Sequence, residues 1–263
     1  MIIVKLGGGK EINIEGAVKD LAELDQEFIL VHGANTIRDE IAEKLGKPTR
    51  VVTSVSGYSS VHSDEAAINA IMMGYSGIKN KRIVELCQRN SINAVGLSGI
   101  DGKLIQGERN KGIRIRKGKK VMILRDYSGK PKRVNKELLQ LLLDHGYVPV
   151  ICIPITDENN VAINSENDDI VNVLQEAFQA DLILQLIEAP GYLENKDDEN
   201  SLIQTITSDE LKAREAQVEG RMKRKMLALR KLIENGAKRV IISDGRVEHP
   251  IKGALAGKGT IIQ

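Results

Sequence analysis

The sequence is poor in aromatic residues and in cysteine. It has no tryptophan, two phenylalanines and five tyrosines among its 263 residues. Proteins that bind single-stranded nucleic acid stack the bases on aromatic side chains, so we expect no nucleic-acid partner. The two cysteines, Cys87 and Cys152, stand far apart in apolar surroundings and lack the spacing of metal ligands. We therefore expect two buried free thiols, a reducing cytoplasmic location and no resident metal site.

Long hydrophobic runs are also missing. A membrane-spanning helix needs about 20 consecutive apolar residues, and no stretch of this chain approaches that length. Met1 leads directly into an apolar strand pattern, so we expect neither a membrane span nor a signal peptide. With 41% hydrophobic and 28% charged residues, the composition is that of a globular protein with one large α/β unit or two lobes.

Positive charge is concentrated in one segment of the chain. The formal net charge is +2, but residues 107–133 hold eleven Lys and Arg residues against two acidic ones. A second basic cluster, at positions 221–225, contains no acidic residue. Such runs usually form solvated surfaces. The alternative is a docking surface for an acidic partner.

Apolar runs alternate with stretches of helical period. The runs that predict strands are MIIVKL, EFILVHG, NAVGLSG, YVPVICIPI, ADLILQLIE, AKRVIISDG and GTIIQ. The stretches that predict helices include EGAVKDLAELD, TIRDEIAEKLG, VNKELLQLLLDHG and GRMKRKMLALRKLIENG. This alternation predicts an α/β fold, a three-layer αβα sandwich around a mostly parallel central sheet. Short strands with Gly turns in the basic segment predict a β-hairpin excursion, and the polar stretch 156–169 marks a boundary between two lobes.

Two glycine-containing loops follow apolar strands. One holds the glycines at positions 7–9 and is preceded by Lys5; the other contains Gly33, Ala34 and Asn35. Ligands of open α/β sheets bind at the carboxyl ends of the strands. Backbone N–H groups of two neighbouring loops can together bind a phosphoryl oxygen. The alternative is that both loops are tight strand-to-helix turns and nothing more.

Two charged residues in the second half of the chain are further candidates. Asp168 follows Asn164 just before a predicted helix. It is either the N-cap of that helix or an acid that orients neighbouring lysines. Lys225 lies in the basic cluster, and it is either a surface lysine or a second cation of the site.

The order of these motifs resembles that of the amino acid kinase family. The motifs are VKLGG, VHGA, AVGLSGIDG, NSEND, GRMKRK and ALAGKGTII, and they span essentially the whole chain. They are most similar to the acetylglutamate-kinase branch, whose members make acyl phosphates. Within that branch, AVGLSGIDGKLI, YSGKPKRVN and GRMKRK resemble kinases that act on amino acids tethered to LysW, an acidic amino-group carrier protein.

The resemblance implies a role for each matching residue. It implies that Lys5 and Lys225 stabilise charge on the transferred phosphoryl group and that Asp168 holds both lysines in place. It assigns phosphate contacts to Gly7 and Gly8 as well. The residues that it assigns to acceptor binding are Gly33, Ala34, Asn35 and Asn164.

The chain departs from the family pattern where the acceptor carboxylate is clamped. The substrate-clamping arginine of the family aligns with Val61, and valine cannot form a bidentate contact with a carboxylate. His62 and Arg50 are candidate replacements, so the predicted substrate-binding positions include all three. In the second loop, Ala34 and Asn35 replace two of three family glycines, and their backbone donors are retained.

The resemblance also implies a reaction and its partners. It implies ATP-dependent phosphorylation, with Mg²⁺, of the side-chain carboxylate of LysW-linked L-2-aminoadipate, L-glutamate or both, in lysine and optionally arginine biosynthesis. A carboxylate is already ionised at neutral pH, so the reaction needs cations and positioning rather than a general base. Three alternatives remain open: a kinase of free N-acetylglutamate, a kinase of uridylate or carbamate, and a non-catalytic regulator of the same fold.

The family also sets an expectation for the lobes and for assembly. Residues 1–166 are expected to form the amino-acid-substrate lobe with a dimerisation surface, and residues 167–263 the ATP-binding lobe. A cytoplasmic homodimer is expected. The basic hairpin is then predicted to be the docking surface for the acidic carrier, through Arg114, Arg116, Lys117 and Lys119.

Overall fold

The central sheet is mostly parallel. The structure, a computed structural model, describes residues 1–118, 120–195, 197–218 and 220–263. Among these residues, one eight-stranded sheet runs in the order β14 (Thr205–Ile206), β16 (Thr260–Ile262), β15 (Val240–Asp244), β13 (Leu182–Ile187), β1 (Ile2–Leu6), β2 (Phe28–His32), β10 (Val148–Cys152) and β5 (Ala94–Ser98). Neighbouring strands are parallel except β15 and β16. Every strand predicted from an apolar run lies in this sheet.

Helices cover both faces of the sheet. They are α1 (Ile14–Ala22), α2 (Asn35–Lys44), α3 (Glu65–Ile71), α4 (Asn80–Arg89), α5 (Lys136–Asp144), α6 (Asn167–Phe178), α7 (Ser208–Gln217), α8 (Gly220–Glu234) and α9 (Pro250–Leu255). A π-helical segment, Met72–Lys79, joins α3 to α4 without a break, and Asp101–Lys103 form a 3₁₀ turn. The predicted helical stretches correspond to α1, α2, α5 and α8.

Smaller β elements lie beside the main sheet. One four-stranded sheet has the order β12 (Ala162–Ile163), β11 (Ile155–Thr156), β6 (Ile105–Arg109) and β9 (Gly129–Val134). Two antiparallel hairpins are β3 (Val51–Thr53) with β4 (Ser59–Val61), and β7 (Ile113–Lys117) with β8 (Lys120–Leu124). The second hairpin carries the basic segment, so the predicted excursion is confirmed.

Alternating side chains of β1 enter two separate cores. Ile3 packs in the core beneath α3, α5, α6 and α8, whereas Ile2, Val4 and Leu6 pack against α1, α4 and α9. The sheet therefore has a helical layer on each face, which confirms the three-layer αβα arrangement. Because side chains alternate along a strand, Lys5 lies on the same face as Ile3, towards α6 and α8.

Both cysteines are buried and free, as the sequence predicts. Burial raises the pKa of Cys87 and of Cys152 to about 12, so both thiols stay protonated at neutral pH. In the described parts of the chain, no helix combines the length and apolar character that crossing a membrane requires.

Candidate active site

The loops after β1 and β2 touch each other. The carbonyl oxygen of Gly8 accepts from the backbone N–H of Thr36 at 3.3 Å, where α2 begins. A Cβ atom on Gly8 would lie 2.8 Å from the backbone nitrogens of both Ala34 and Asn35. A Cβ atom on Gly33 would lie 2.7 Å from the nitrogen of Gly8. Glycine is therefore required at both positions, since any side chain would push the loops apart.

Two of the predicted backbone N–H donors, those of Gly7 and Gly33, are already used within the sheet. The N–H of Gly7 donates to the carbonyl oxygen of Leu186 at 2.9 Å, and the N–H of Gly33 donates to that of Leu6 at 2.9 Å. These bonds extend the sheet by one residue beyond β1 and β2. The prediction that Gly7 and Gly33 offer N–H groups to a ligand is therefore corrected, because those groups have partners. Both residues still line the cleft described below.

Lys5 and Asp168 form an ion pair at the floor of the site. The distance from Lys5 Nζ to Asp168 Oδ1 is 2.8 Å, and Lys5 is only 9% exposed. Asp168 is not the N-cap of α6, because Glu166 occupies that position. Burial opposes ionisation of Asp168, but the charge of Lys5, with smaller contributions from Lys225 and Arg224, holds its pKa below the ordinary value.

Helix α8 brings Lys225 to the same place. It packs against α6, where the side-chain amide of Asn172 donates to the carbonyl oxygen of Ala228 at 3.1 Å. Lys225 lines the same two cavities as Lys5 and Asp168, and its charge helps to lower the pKa of Asp168. The structure thus brings together the three predicted catalytic residues, although Lys5 and Lys225 come from opposite ends of the chain.

Two cavities meet at this cluster. The larger is an open cleft of about 1620 Å³ between the glycine loops, the β3–β4 hairpin and the start of α6. The smaller has a volume of about 750 Å³, including space open to solvent, and is mainly apolar. Besides the three charged residues, the walls of the smaller cavity include Gln185, Ala189, Tyr192, Leu193, Met226, Leu229 and Ile242. A charged group can therefore be held at the junction while a planar apolar group occupies the smaller cavity.

The predicted acceptor-binding residues divide into two groups. Asn35, Val61 and Asn164 line the cleft, as Gly33 does, and the side-chain amide of Asn164 donates to Ser63 Oγ at 2.9 Å. Ala34 is fully buried behind them as the N-cap of α2. His62 and Arg50 are not among the described residues that line the cleft, and their backbones pair with each other. Neither one is therefore placed to replace the missing arginine.

Several residues of the cleft were not predicted from the sequence. Arg38 is 5% exposed, and its Nη1 donates to Asn35 Oδ1 at 3.1 Å. The hydroxyl of Tyr75, in the π-helical segment, donates to the same oxygen at 2.5 Å. Arg224 also lines the cleft. The spacing of Asn35 and Arg38 on one helix was a signal that could have been used, whereas nothing in the sequence links Tyr75 to Asn35.

The predicted docking residues lie on the β7–β8 hairpin. Arg114, Arg116 and Lys117 are exposed there, while Lys119 lies outside the described residues. The hairpin is joined to the site, because the N–H of Val55 donates to the carbonyl oxygen of Arg114 at 2.8 Å. A third cavity, of about 1540 Å³, runs from Arg114 towards the cleft.

Comparisons with known proteins agree with this geometry. Residues 1–244 match the model of the amino acid kinase family. The chain is 40% identical over 269 residues to the [LysW]-aminoadipate kinase of Thermus thermophilus, with 100% of both chains covered. It is 32% identical over 268 residues to the [LysW]-aminoadipate/[LysW]-glutamate kinase of Sulfolobus acidocaldarius, again with 100% of both covered. The structure of Giardia carbamate kinase superposes with a TM-score of 0.64 at 17% identity, over 99% of this chain and 97% of that one. The chain belongs to the amino acid kinase family.

Proposed function

We propose that this enzyme transfers the γ-phosphoryl group of ATP to the side-chain carboxylate of LysW-linked L-2-aminoadipate, a step of lysine biosynthesis. The observation that carries the proposal is the position of Lys5, Asp168 and Lys225 where the acceptor cleft meets the apolar cavity. The relatives from Thermus and Sulfolobus are both named for aminoadipate, and the second is also named for glutamate. Glutamate is therefore proposed as a second acceptor, with a corresponding role in arginine biosynthesis.

The chemistry needs charge neutralisation more than proton transfer. A carboxylate oxygen of the acceptor forms a bond to the γ-phosphorus, and the bond from that phosphorus to the β,γ-bridging oxygen breaks, which releases ADP. Repulsion between the anionic acceptor and the polyphosphate opposes this step. Lys5 and Lys225 reduce that repulsion, and the buried carboxylate of Asp168 keeps Lys5 oriented within the cleft.

We propose that the two lobes bind different substrates. We assign the acceptor mainly to residues 1–166 and ATP mainly to residues 167–263, because the apolar cavity is lined mainly by residues after position 184. Tyr192, Met226 and Leu229 suit the apolar face of an adenine base. Mg²⁺ accompanies ATP, since this ion binds phosphate oxygens and keeps several of its waters.

The acidic carrier is proposed to dock on the basic hairpin. The charge of residues 107–133 is opposite to that of such a carrier, and the third cavity connects Arg114 with the cleft. We further propose a cytoplasmic homodimer. The family resemblance supports the dimer, and the two buried free thiols are consistent with a reducing compartment. Light scattering after gel filtration tests the oligomeric state.

The direct test is to trap the acyl phosphate with hydroxylamine. The enzyme is incubated with ATP, Mg²⁺ and one of three acceptors: carrier-linked aminoadipate, carrier-linked glutamate or free N-acetylglutamate. Hydroxamate formation with the carrier-linked acceptors, at a kcat/KM well above that with N-acetylglutamate, supports the proposal. Preference for the free acetylated acceptor would assign the enzyme to acetylglutamate phosphorylation. Absence of hydroxamate with all three acceptors would favour a non-catalytic role or another acceptor.

A further inference from the structure

The acceptor cleft and the third cavity share one wall. The residues that line both are Ser60, Val61, Asn164, Ser165, Glu166 and Arg224, which we call the neck. The neck lies between the two lysines on one side and the basic hairpin on the other. An acceptor tethered to a carrier on the hairpin side must pass through the neck to reach Lys5 and Lys225.

The chemistry of the acceptor places a second carboxylate at the neck. The α-carbon of a carrier-linked amino acid bears both the amide link to the carrier and the free α-carboxylate. When the side-chain carboxylate reaches the lysines and the amide points towards the hairpin, the α-carbon lies between them. The α-carboxylate then needs a cationic or hydrogen-bonding partner in the neck, because an unpaired buried charge is strongly unfavourable.

Arg224 is the one cation among the described residues of the neck. Its Nη1 lies 3.4 Å from Glu166 Oε1, which is a long contact. Its Nε is buried and has no hydrogen-bond partner within the described residues. A guanidinium has five N–H donors in a planar fork, so a contact through Nη1 leaves donors for a second carboxylate.

Ser165 provides a second, independent observation. It is 7% exposed, it lines the neck, and its Oγ has no hydrogen-bond partner in the described part of the chain. Buried hydroxyl groups in folded proteins are nearly always hydrogen-bonded. Ser165 and Arg224 both line the neck, so their unpartnered hydroxyl and guanidinium nitrogen are a pair of donors that an incoming carboxylate can use.

We propose, on the basis of the function proposed above, that Arg224 binds the α-carboxylate of the carrier-linked acceptor, with the Ser165 hydroxyl as a second donor. Position 61, where the family arginine aligns, holds valine in the wall of the same neck. Arg224 therefore supplies from α8 the positive charge that β4 lacks. One turn of α8 then provides both the acceptor clamp and, at Lys225, a phosphoryl-stabilising cation.

The test compares two carrier-linked acceptors that differ only in the α-carboxylate. They are 2-aminoadipate and 5-aminopentanoate, each joined to the carrier through its amino group and each with the same reacting carboxylate. The ratio of their kcat/KM values isolates recognition of the α-carboxylate, because any general loss of catalysis affects both acceptors. We expect the wild-type enzyme to prefer aminoadipate by about 30-fold or more, the usual effect of a lost partner for a buried charge. In Arg224→Gln we expect the preference to fall to within about threefold.

Two further variants separate the clamp from a general effect of charge. Lys223 lies on the same helix but lines none of the three cavities. Lys223→Gln should therefore keep the wild-type ratio of the two kcat/KM values. Adding Val61→Arg to Arg224→Gln should restore the preference, because it returns an arginine to the neck. An unchanged ratio in Arg224→Gln, while the wild type phosphorylates carrier-linked aminoadipate, would overturn this inference and leave the proposed function standing. Failure of the wild type to phosphorylate that acceptor would overturn both.

Discussion

At the residue scale, the two lysines of the site differ in burial, and the contribution of each to kcat and to stability can be measured. Lys5 is buried and paired with Asp168, and Lys225 is exposed and lines the same cleft. We expect Lys5→Ala and Lys225→Ala each to lower kcat by about 10²–10³-fold, because each removes a charge that we propose stabilises the transferred group. Lys5→Ala should also lower the free energy of unfolding, by about 3 kcal/mol, since it leaves the buried carboxylate of Asp168 without its 2.8 Å partner.

Steady-state kinetics and urea unfolding measure these two effects separately. Lys223→Ala, on the same helix as Lys225, is the control for kcat and should leave kcat near the wild-type value, because Lys223 lines none of the three cavities. Unchanged stability in Lys5→Ala would contradict a stabilising ion pair between Lys5 and Asp168. A Lys225→Ala enzyme with normal kcat would remove this residue from the catalytic group.

The contact between the two glycine loops gives a second prediction at this scale. Gly8→Ala puts a Cβ atom 2.8 Å from the nitrogens of Ala34 and Asn35, so the loops must separate. We expect kcat/KM to fall by about 100-fold, because small displacements of positioning groups are costly in phosphoryl transfer. Gly77→Ala is the matched control, since its Cβ would meet no atom closer than 3.6 Å. Comparable activity in both variants would show that the loop contact is not needed for catalysis.

The sequence could indicate the charged cluster but not the partners of each group. Lys5, Asp168 and Lys225 stand in short motifs whose order along the chain resembles that of the family. The hydrogen-bond partners of the Gly7 and Gly33 N–H groups could not be predicted from the sequence. These partners depend on the register of β1 with β13 and β2. Tyr75 contacts Asn35 only because the π-helical segment packs beside α2. A tertiary contact of this kind leaves no local signal in the sequence.

At the element scale, apolar runs predicted seven of the eight strands of the central sheet but not every helix. The strands of the central sheet are buried on both faces, so they appear in the sequence as continuous apolar stretches. The two-residue strand β14 is too short to leave such a signal. The helix from residue 65 to residue 89 contains two glycines and changes from α to π geometry within Met72–Lys79. That change shifts the apolar period, so no single helical repeat describes the segment.

The β7–β8 hairpin is the element on which the docking prediction depends. Neutralising Arg114, Arg116, Lys117 and Lys119 with glutamine should raise KM for a carrier-linked acceptor by about tenfold at low salt, with little change in kcat. The effect should shrink at high salt, because screening already weakens the attraction in the wild-type enzyme. Steady-state kinetics at two ionic strengths measure it.

A control for this prediction exists at the other end of the sheet. Lys238 and Arg239 are exposed just before β15, at the amino ends of the parallel strands and away from the site. Replacing both with glutamine removes charge without touching the hairpin, so KM for the carrier-linked acceptor should stay near the wild-type value. Equal increases of KM in both variants would mean that net charge, rather than the hairpin, attracts the carrier.

At the scale of the whole molecule, the site is a product of the layered architecture. Lys5 points from the sheet into the layer that contains α6 and α8, and these two helices supply Asp168 and Lys225. The loops at the carboxyl ends of β1 and β2 close the cleft from the side. The cluster of Lys5, Asp168 and Lys225 therefore depends on packing between layers, which is why its convergence could be predicted only through resemblance and not from any local pattern.

The buried side chain of His32, in the central sheet, affects how the free energy of unfolding of the whole protein depends on pH. His32, the last residue of β2, is fully buried. The amide of Asn80 lies 3.2 Å from its Nε2 and donates to it, so its Nδ1–H faces the carbonyl oxygen of Gly33 at 3.2 Å. Burial lowers the pKa of His32 from 6.5 to about 4, and the nearby charges of Lys79 and Lys81 act in the same direction. The imidazole is thus neutral in the folded protein over a range in which the unfolded chain protonates it.

This difference makes the free energy of unfolding depend on pH in a defined direction. The stabilising effect of the neutral imidazole is fully present above pH 6.5 and declines as the pH falls towards 4, because the unfolded state then binds a proton that the folded state does not. The loss over that interval is about 3 kcal/mol. His32→Gln cannot take up this proton, so its stability deficit relative to wild type should shrink by about that amount between about pH 7.5 and about pH 4. Urea unfolding of both proteins at the two pH values measures the change, and the other titrating groups cancel in the comparison. A deficit that is the same at both pH values would show that His32 is protonated as readily in the folded protein as in the unfolded chain.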